Sequence, residues 1–142
     1  MSHIDIFEVK QCKPEYLEAV NRLLRQLCSS PCVMSSESLQ RIVDEPQSHL
    51  LLLAVEGRVV GMCTVGFYCS PTGCKAWIED VVVDETCRGQ HLGEALVERA
   101  VDFARSIGFD TLMLTSRPAR VAANRLYQKI GFEQKPTNVY RL

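Results

Sequence analysis

The sequence predicts an α/β fold: an α+β sandwich on a mixed central sheet, an antiparallel meander followed by βαβαβ, with helices on both faces. Three observations point there. Residues 50–83 hold successive apolar runs broken by turn residues. From Leu92 to Ile107 apolar residues recur at three- and four-residue spacing instead. A short apolar run and a second helical pattern follow, so that strand and helix alternate toward the C-terminus. With 142 residues the chain suits one domain over 1–142, since domains commonly run about 100–150 residues.

Each element has its own signal. Ile4–Val9 alternates apolar and polar residues, the period of a half-buried strand. Pro14 opens a helix that places Leu17, Val20, Leu24 and Leu27 on one face. The stretch 28–36, Cys-Ser-Ser-Pro-Cys-Val-Met-Ser-Ser, has loop chemistry, and a short helix bearing Leu39, Ile42 and Val43 follows before Pro46. The runs Leu50–Val55 and Val59–Tyr68 are parted by Glu56-Gly57-Arg58, a hairpin signal. Ser70-Pro-Thr-Gly73 makes the next turn, and Ala76–Val83 reads as the third antiparallel strand. The helix carrying Leu92, Leu96, Ala100, Phe103 and Ile107 has Gly108 as its C-cap. Asp110–Thr115 is a short strand; Ser116 and Pro118 start another helix, which carries Ala123, Leu126 and Ile130 and stops at Gly131. Thr137–Leu142 reads as a last strand. The βαβ crossover is expected to be right-handed.

Composition narrows the function. Hydrophobic residues make up 46% and charged residues 23%, a globular balance. Sixteen Lys and Arg against 17 Asp and Glu leave a net charge of −1, without the basic footprint of a nucleic-acid binder. The longest purely apolar run, Leu50–Val55, is far short of the ~20 residues that span a bilayer. No basic segment precedes an apolar one at the N-terminus, so no secretory signal and a cytoplasmic location are expected. The seven cysteines (12, 28, 32, 63, 69, 74, 87) are odd in number and have no C-x-x-C spacing, which predicts reduced thiols. His3, His49 and His91 are far apart in sequence, and no metal site is expected.

The chemistry concentrates after the third strand of the meander. In Val81-Val-Val-Asp-Glu-Thr-Cys-Arg-Gly-Gln-His-Leu-Gly-Glu94 a buried strand ends, a turn containing Gly89 follows, and a helix begins near His91. Unpaired backbone N–H groups at such a helix start, at the positive end of the macrodipole, make an anion site. Arg88 adds a side chain suited to phosphate. By itself this arrangement is shared by strand-to-helix turns that bind nothing.

The segment resembles motif A of the GNAT N-acetyltransferase superfamily, Arg/Gln-x-x-Gly-x-Gly/Ala, here Arg88-Gly89-Gln90-His91-Leu92-Gly93. Further on, Ala122-Ala-Asn-Arg-Leu-Tyr-Gln-Lys-Ile-Gly-Phe132 is similar to the family's second helix with its Tyr-x-x-x-Gly-Phe ending. The resemblance runs from about Leu50 to the C-terminus. It implies acetyl-CoA binding and direct transfer of acetyl to a primary amine in a ternary complex. By this analogy the pantetheine arm pairs with backbone at Val81, Val82 and Val83, in the gap where this strand splays from the next. The pyrophosphate sits on the amides of Arg88, Gly89, Gln90, His91, Leu92, Gly93 and Glu94, and an amide near Val81 polarises the thioester carbonyl.

Two positions depart from the family pattern. His91 replaces the fourth-position glycine, where its Cβ restricts the approach of backbone to phosphate; the plainer reading is a solvent-facing first-turn residue. The family's frequent Asn, seven residues before its tyrosine, falls on Arg120. Asn124 shares a helix face with it, and both Arg120 and Asn124 are candidates to face the cofactor.

For the proton donor to the leaving thiolate, the resemblance implies Tyr127. For the base, Glu79 is favoured, directly or through water, with Asp80 as the alternative. On a regular strand the two point to opposite faces, with Val81 and Val83 on the side of Glu79 and Val82 on that of Asp80, unless a bulge intervenes. A catalytic role for Cys87 is not expected, since no His/Asn partner is evident. Strand Ile78–Val83 also resembles that of glucosamine-phosphate N-acetyltransferases, which makes amino-sugar phosphate acetylation the runner-up. A CoA-binding sensor without turnover is the alternative of another class. A nucleotide-binding βαβ domain lacks both G-x-G-x-x-G and a P-loop lysine. The acceptor is not readable from sequence, and a homodimer stays open.

Overall fold

The computed structural model describes residues 2–142. Its order is β1 (Ile4–Glu8), α1 (Pro14–Leu27), α2 (Ser36–Asp44), β2 (Ser48–Val55), β3 (Arg58–Ser70), β4 (Gly73–Val83), α3 (Leu92–Ser106), β5 (Leu112–Met113) and α4 (Val121–Ile130). The five strands lie in sequence order, β1 to β4 antiparallel and β5 parallel to β4. Among the described residues no helix is long and apolar enough to cross a membrane.

Both faces of the sheet are covered, which explains why β2 reads as an unbroken apolar run. Leu50 and Leu52 face a core shared with Val20, Leu23 and Leu24 of α1 and Leu39 of α2. Leu51 and Leu53 face the opposite core with Leu92, Leu96, Val97 and Ala100 of α3 and Tyr127 of α4. A slip of one residue in β2 would exchange these two sets, so the register is tightly specified. Gly108 and Gly131, just past α3 and α4, hold φ of 99° and 121°, the backbone that a helix-ending glycine supplies.

Several sequence expectations are corrected. The meander is followed by βαβα, because Thr137–Leu142 forms no strand. Val139 and Tyr140 stand 75% and 88% exposed. β5 pairs with β4 at only two positions, so it offers no edge long enough to template another strand. The expected strand over 110–115 is reduced to Leu112–Met113 for the same reason. α4 starts at Val121 rather than at Ser116 or Pro118, because residues 117–120 form a turn closed by Arg120 N–H donating to Arg117 O at 3.0 Å. Not all cysteines are free thiols: the β3–β4 hairpin register sets Cys69 opposite Cys74, and the two are joined as a disulfide. Cys12, Cys28, Cys32, Cys63 and Cys87 are free.

Candidate active site

β4 positions the site by losing its neighbour on one side. It stays paired with β3 as far as Val83, whereas its pairing with β5 covers only Ala76 and Trp77. From Ile78 onward the β5 side of β4 is therefore a backbone edge without a strand against it. Arg120 occupies part of it, donating from Nη2 to the Val81 carbonyl at 3.3 Å.

A bulge lies in the same stretch. Thr64 faces Glu79 and Met62 faces Val82, so Asp80 and Val81 together oppose Cys63. Asp80 takes up the extra residue with φ 55°, a left-handed conformation that Asp tolerates better than most side chains. The alternation is thereby reset, and the expected facing is corrected. Val81 and Val83 join the α3/α4 core together with Ile78, and Val82 joins the α1/α2 core. Glu79 and Asp80 are both exposed. The Cys28 thiol, at the C-terminal end of α1, is pushed up by a hydrogen bond with Cys32, by burial and by the Asp80 carboxylate, while Arg117 opposes this.

The loop after β4 is pinned by a residue that sequence reasoning missed. Asp84 is 3% exposed. It accepts hydrogen bonds from the Thr86 amide at 3.0 Å and the Thr86 hydroxyl at 2.8 Å. Arg22 Nε lies 3.5 Å away, and Arg58 Nη2 lies 4.0 Å away. The Thr86 amide, a second bond from its hydroxyl and the Arg22 charge outweigh burial and hold the Asp84 carboxyl below its ordinary 3.8. Gln26 of α1 reaches the same loop, its Oε1 accepting from the Glu85 amide at 2.8 Å. The signals were an Asp-x-Thr turn and an Arg beside the apolar stripe of α1; both are common, and neither names its partner.

Beyond a single 3-10 turn over Glu85–Cys87, Gly89 has φ 82° and His91 φ 59°. The fourth motif position therefore does require left-handed backbone, and here a histidine adopts it. His91 is exposed, with Nδ1 3.5 Å from Glu94 Oε2. The first bond within α3 is donated by Ala95 to the His91 carbonyl at 3.1 Å, so the amides of Leu92, Gly93 and Glu94 have no partner inside the helix. A Cβ on Gly93 would come no nearer than 3.5 Å to another side chain. Packing therefore does not demand glycine at this position. Arg88 and Gln90 are exposed beside these amides. Glu94 also meets Lys129 Nζ of α4 at 3.0 Å, and chiefly that contact lowers its carboxyl below 4.5.

On α4, Tyr127 is 5% exposed, with its ring edge-on to Phe132. Burial pushes its hydroxyl above 10.0, and Cys63 adds to this. The Arg120 guanidinium pulls the other way, by its charge and by hydrogen bonding. Asn124 is engaged locally, its Nδ2 donating to the Arg117 carbonyl at 3.0 Å. The arrangement gathers an open strand edge, unpartnered helix-start amides and a buried phenol, with two carboxylates on the strand that leads to them.

Residues 16–132 match the model of the acetyltransferase (GNAT) family. Over 142 aligned residues, 90% of this chain and 84% of the other, the sequence is 29% identical to glucosamine 6-phosphate N-acetyltransferase 1 of Oryza sativa subsp. japonica. The crystal structure of glucosamine-6-phosphate N-acetyltransferase from Arabidopsis thaliana superposes with a TM-score of 0.82 at 22% identity, covering 99% of this chain and 98% of that one. An aminoglycoside N-acetyltransferase, AAC(6')-Iy, solved in complex with CoA, gives 0.81 at 16% identity over 100% and 95% of the two chains. At those identities the two structures speak for the fold.

Proposed function

The chain belongs to the acetyltransferase (GNAT) family, and from that premise we propose that it is an N-acetyltransferase, moving acetyl from acetyl-CoA directly to a primary amine in a ternary complex. The observation that carries the reading is the open β4 edge ending at the unpartnered amides of α3. An extended amide-bearing arm and an anionic pyrophosphate need those two features in that order. Gly93 supports the fit, because packing does not require a glycine there and a glycine leaves the backbone amides of this turn bare to a ligand.

In this proposal the backbone of Val81, Val82 and Val83 pairs with the pantetheine arm, and an amide near Val81 polarises the thioester carbonyl. The amides of Arg88, Gly89, Gln90, His91, Leu92, Gly93 and Glu94 receive the pyrophosphate, with the Arg88 side chain beside it. Arg120, just before α4, and Asn124 within it face the cofactor in this reading. Acetyl-CoA supplies the activated thioester. Glu79, directly or through water, takes the proton of the attacking amine, with Asp80 at the bulge as its alternative. Tyr127 gives its proton to the departing sulfur; held protonated at neutral pH, it has one to give.

A second reading of the acceptor, an amino-sugar phosphate, is favoured by the 29% identity to the rice glucosamine 6-phosphate enzyme across 90% of this chain. One experiment tests both. CoA release from acetyl-CoA is measured over a panel of amino-sugar phosphates, polyamines, aminoglycosides and N-terminal peptides, alongside the Tm shift produced by acetyl-CoA. Turnover on a panel member supports the enzyme and names its class. A Tm shift without turnover on any member turns the reading toward a CoA-binding sensor, and no shift at millimolar acetyl-CoA overturns the cofactor assignment.

A further inference from the structure

The β3–β4 hairpin runs out beyond the rest of the sheet. The ladder between β2 and β3 ends at Ser48 and Gly66, and β5 pairs with β4 only at Ala76 and Trp77. Among the described residues, 68–75 thus form a two-stranded arm with no strand against either side. An isolated pair of strands is marginal in water. The turn does not help. Ser70 pairs with Gly73, so Pro71 and Thr72 are the two loop residues, and neither has positive φ. The two-residue turns that match strand twist need positive φ at the first loop position, which proline cannot adopt. Side-chain contacts within the arm are slight: Lys75 Nζ lies 5.9 Å from the centre of the exposed Tyr68 ring and donates to Thr72 Oγ1 at 3.4 Å. What remains to hold the arm is the Cys69–Cys74 disulfide, on the rung next to the turn, with both cysteines exposed.

We propose that this disulfide is a thiol-exchangeable clamp: closed, it orders the arm; opened by a small-molecule thiol, it frees the arm and loosens the mouth of the acetyl-transfer cleft. The second half rests on the proposed acetyltransferase activity. The two cysteines are five apart in sequence, and a cross-link that closes so short a loop takes little entropy from the unfolded chain. Its constraint is therefore local. The arm enters the sheet at Ala76 and Trp77, the two residues that hold β5 against β4. Just past them β4 loses that neighbour and carries Glu79, the proposed base. Motion of the arm acts first on that junction.

Opening is ordinary exchange, with a small-molecule thiol as the reductant. Its thiolate attacks one of the exposed sulfurs. The S–S bond breaks, and its electron pair leaves on the other sulfur, which takes up a proton. A second thiolate attacks the mixed disulfide and frees the first cysteine. Two thiols are oxidised to one disulfide as the protein disulfide is reduced to two thiols. Exposed disulfides belong to the labile class, whereas structural ones resist the glutathione pool.

The test equilibrates the full chain with millimolar reduced glutathione, traps thiols with an alkylating reagent and maps them by mass spectrometry. Cys69 and Cys74 should be labelled together in the folded protein. Amide exchange over 68–75 should quicken about 10-fold while β2 and α3 stay protected. Single-turnover transfer with the best acceptor should slow about 10-fold. Cys69→Ser combined with Cys74→Ser should match the reduced wild type and ignore glutathione, which separates the clamp from the five free cysteines. Adding Pro71→Asn and Thr72→Gly to that variant supplies a favourable turn and should restore both protection and rate. A disulfide that stays closed in millimolar glutathione until the protein unfolds overturns the proposal, as does an arm equally protected in both states. A looser arm with an unchanged transfer rate overturns its link to the cleft. A wild type that acetylates no amine removes the proposed function instead, and labelling with amide exchange still decides the clamp.

Discussion

Arg22 and Asp84 join α1 to the loop that leads into α3: the guanidinium Nε stands 3.5 Å from the carboxylate, whose side chain is 4% exposed. The same guanidinium donates from Nη2 to the Val59 carbonyl of β3. One arginine on the helix of one face therefore fixes the start of a loop that opens onto the other. Asp84→Asn keeps the shape but leaves Arg22 with less than its charge partner. Arg22 is about a quarter exposed, so the cost is expected below that of a fully buried pair, about 1–3 kcal/mol in urea unfolding. Acetyl-CoA affinity should fall as well, because the amides after Asp84 lose their fixed starting point. A stability loss with unchanged affinity would confine Asp84 to the fold.

Acid unfolding follows from two carboxyls. Asp84 is held below 3.8 by the bonds from Thr86 and the Arg22 charge. Burial pushes Glu8 up, but hydrogen bonds from Lys10 and His49 outweigh it and hold the group below 4.5; His49 Nδ1 is 2.5 Å from Glu8 Oε2. Both folded values lie below the unfolded ones, so the unfolded chain binds more protons as pH falls. The contribution is present above those ordinary values and is lost as pH drops through the lowered ones. Unfolding free energy should therefore fall steeply below about pH 4. The loss should be flatter in Glu8→Gln combined with Asp84→Asn, as urea melts at pH 3, 4 and 6 would read. Equal slopes for both proteins would show that other groups govern acid unfolding.

Much of the fold and some of the site could be read from residue patterns, and the misses share a cause. The period change at Leu92 and the position of Gly89, with φ 82°, report local backbone demands, and these a sequence states directly. The bulge at Asp80 does not report itself, because Asp tolerates left-handed backbone without being reserved for it, and a run of valines looks alike in either register. Thr137–Leu142 reads as a last strand in sequence, yet a strand also needs a partner edge, and β5 ends at Met113. Asp84 and Arg22 are 62 positions apart, and nothing local announces that pair. Glu79 and Asp80 were legible as an acidic pair, but which core each neighbouring valine enters depends on the bulge.

His91→Gly should stabilise the protein. The histidine sits at φ 59° and its side chain is 82% exposed. Its one charged neighbour, Glu94, is already paired with Lys129. Relief of left-handed backbone strain is worth about 1 kcal/mol, which should outweigh the added freedom of the unfolded glycine. Acetyl-CoA affinity should hold or improve, since the change restores the family's glycine. A lower Tm together with weaker binding would give the imidazole a role at the phosphates.

Gly93 separates fold from ligand. A Cβ there has ordinary van der Waals room, 3.5 Å from Leu126 Cδ2 and 3.9 Å from Val83 Cγ2. Gly93→Ala should leave stability unchanged or raise it by about 0.5 kcal/mol, because alanine suits a helix better. Acetyl-CoA should nevertheless bind more weakly, and Gly93→Asp should be worse still by setting an anion at the phosphate amides. Calorimetric titration of folded variants reads this directly. Unchanged affinity in Gly93→Asp would move the phosphates elsewhere.

Tyr127→Phe tests the proton donor itself. The ring is kept, so its edge-on contact with Phe132, 6.1 Å between centroids, should survive and stability should change little. The lost atom is a hydroxyl that burial keeps protonated beyond 10.0. If this hydroxyl protonates the departing sulfur, single-turnover acetyl transfer should slow by roughly 10²–10⁴-fold while acetyl-CoA affinity is spared. The steady-state kcat should fall less where product release limits the wild type. The wild-type chemical step should persist to alkaline pH and decline only as the pH rises through the raised Tyr127 value, because deprotonation removes the proton to be donated. In Tyr127→Phe that decline should disappear, since no phenol remains to titrate. Equal single-turnover rates in the two proteins would leave Tyr127 a core residue and pass the acid role to water.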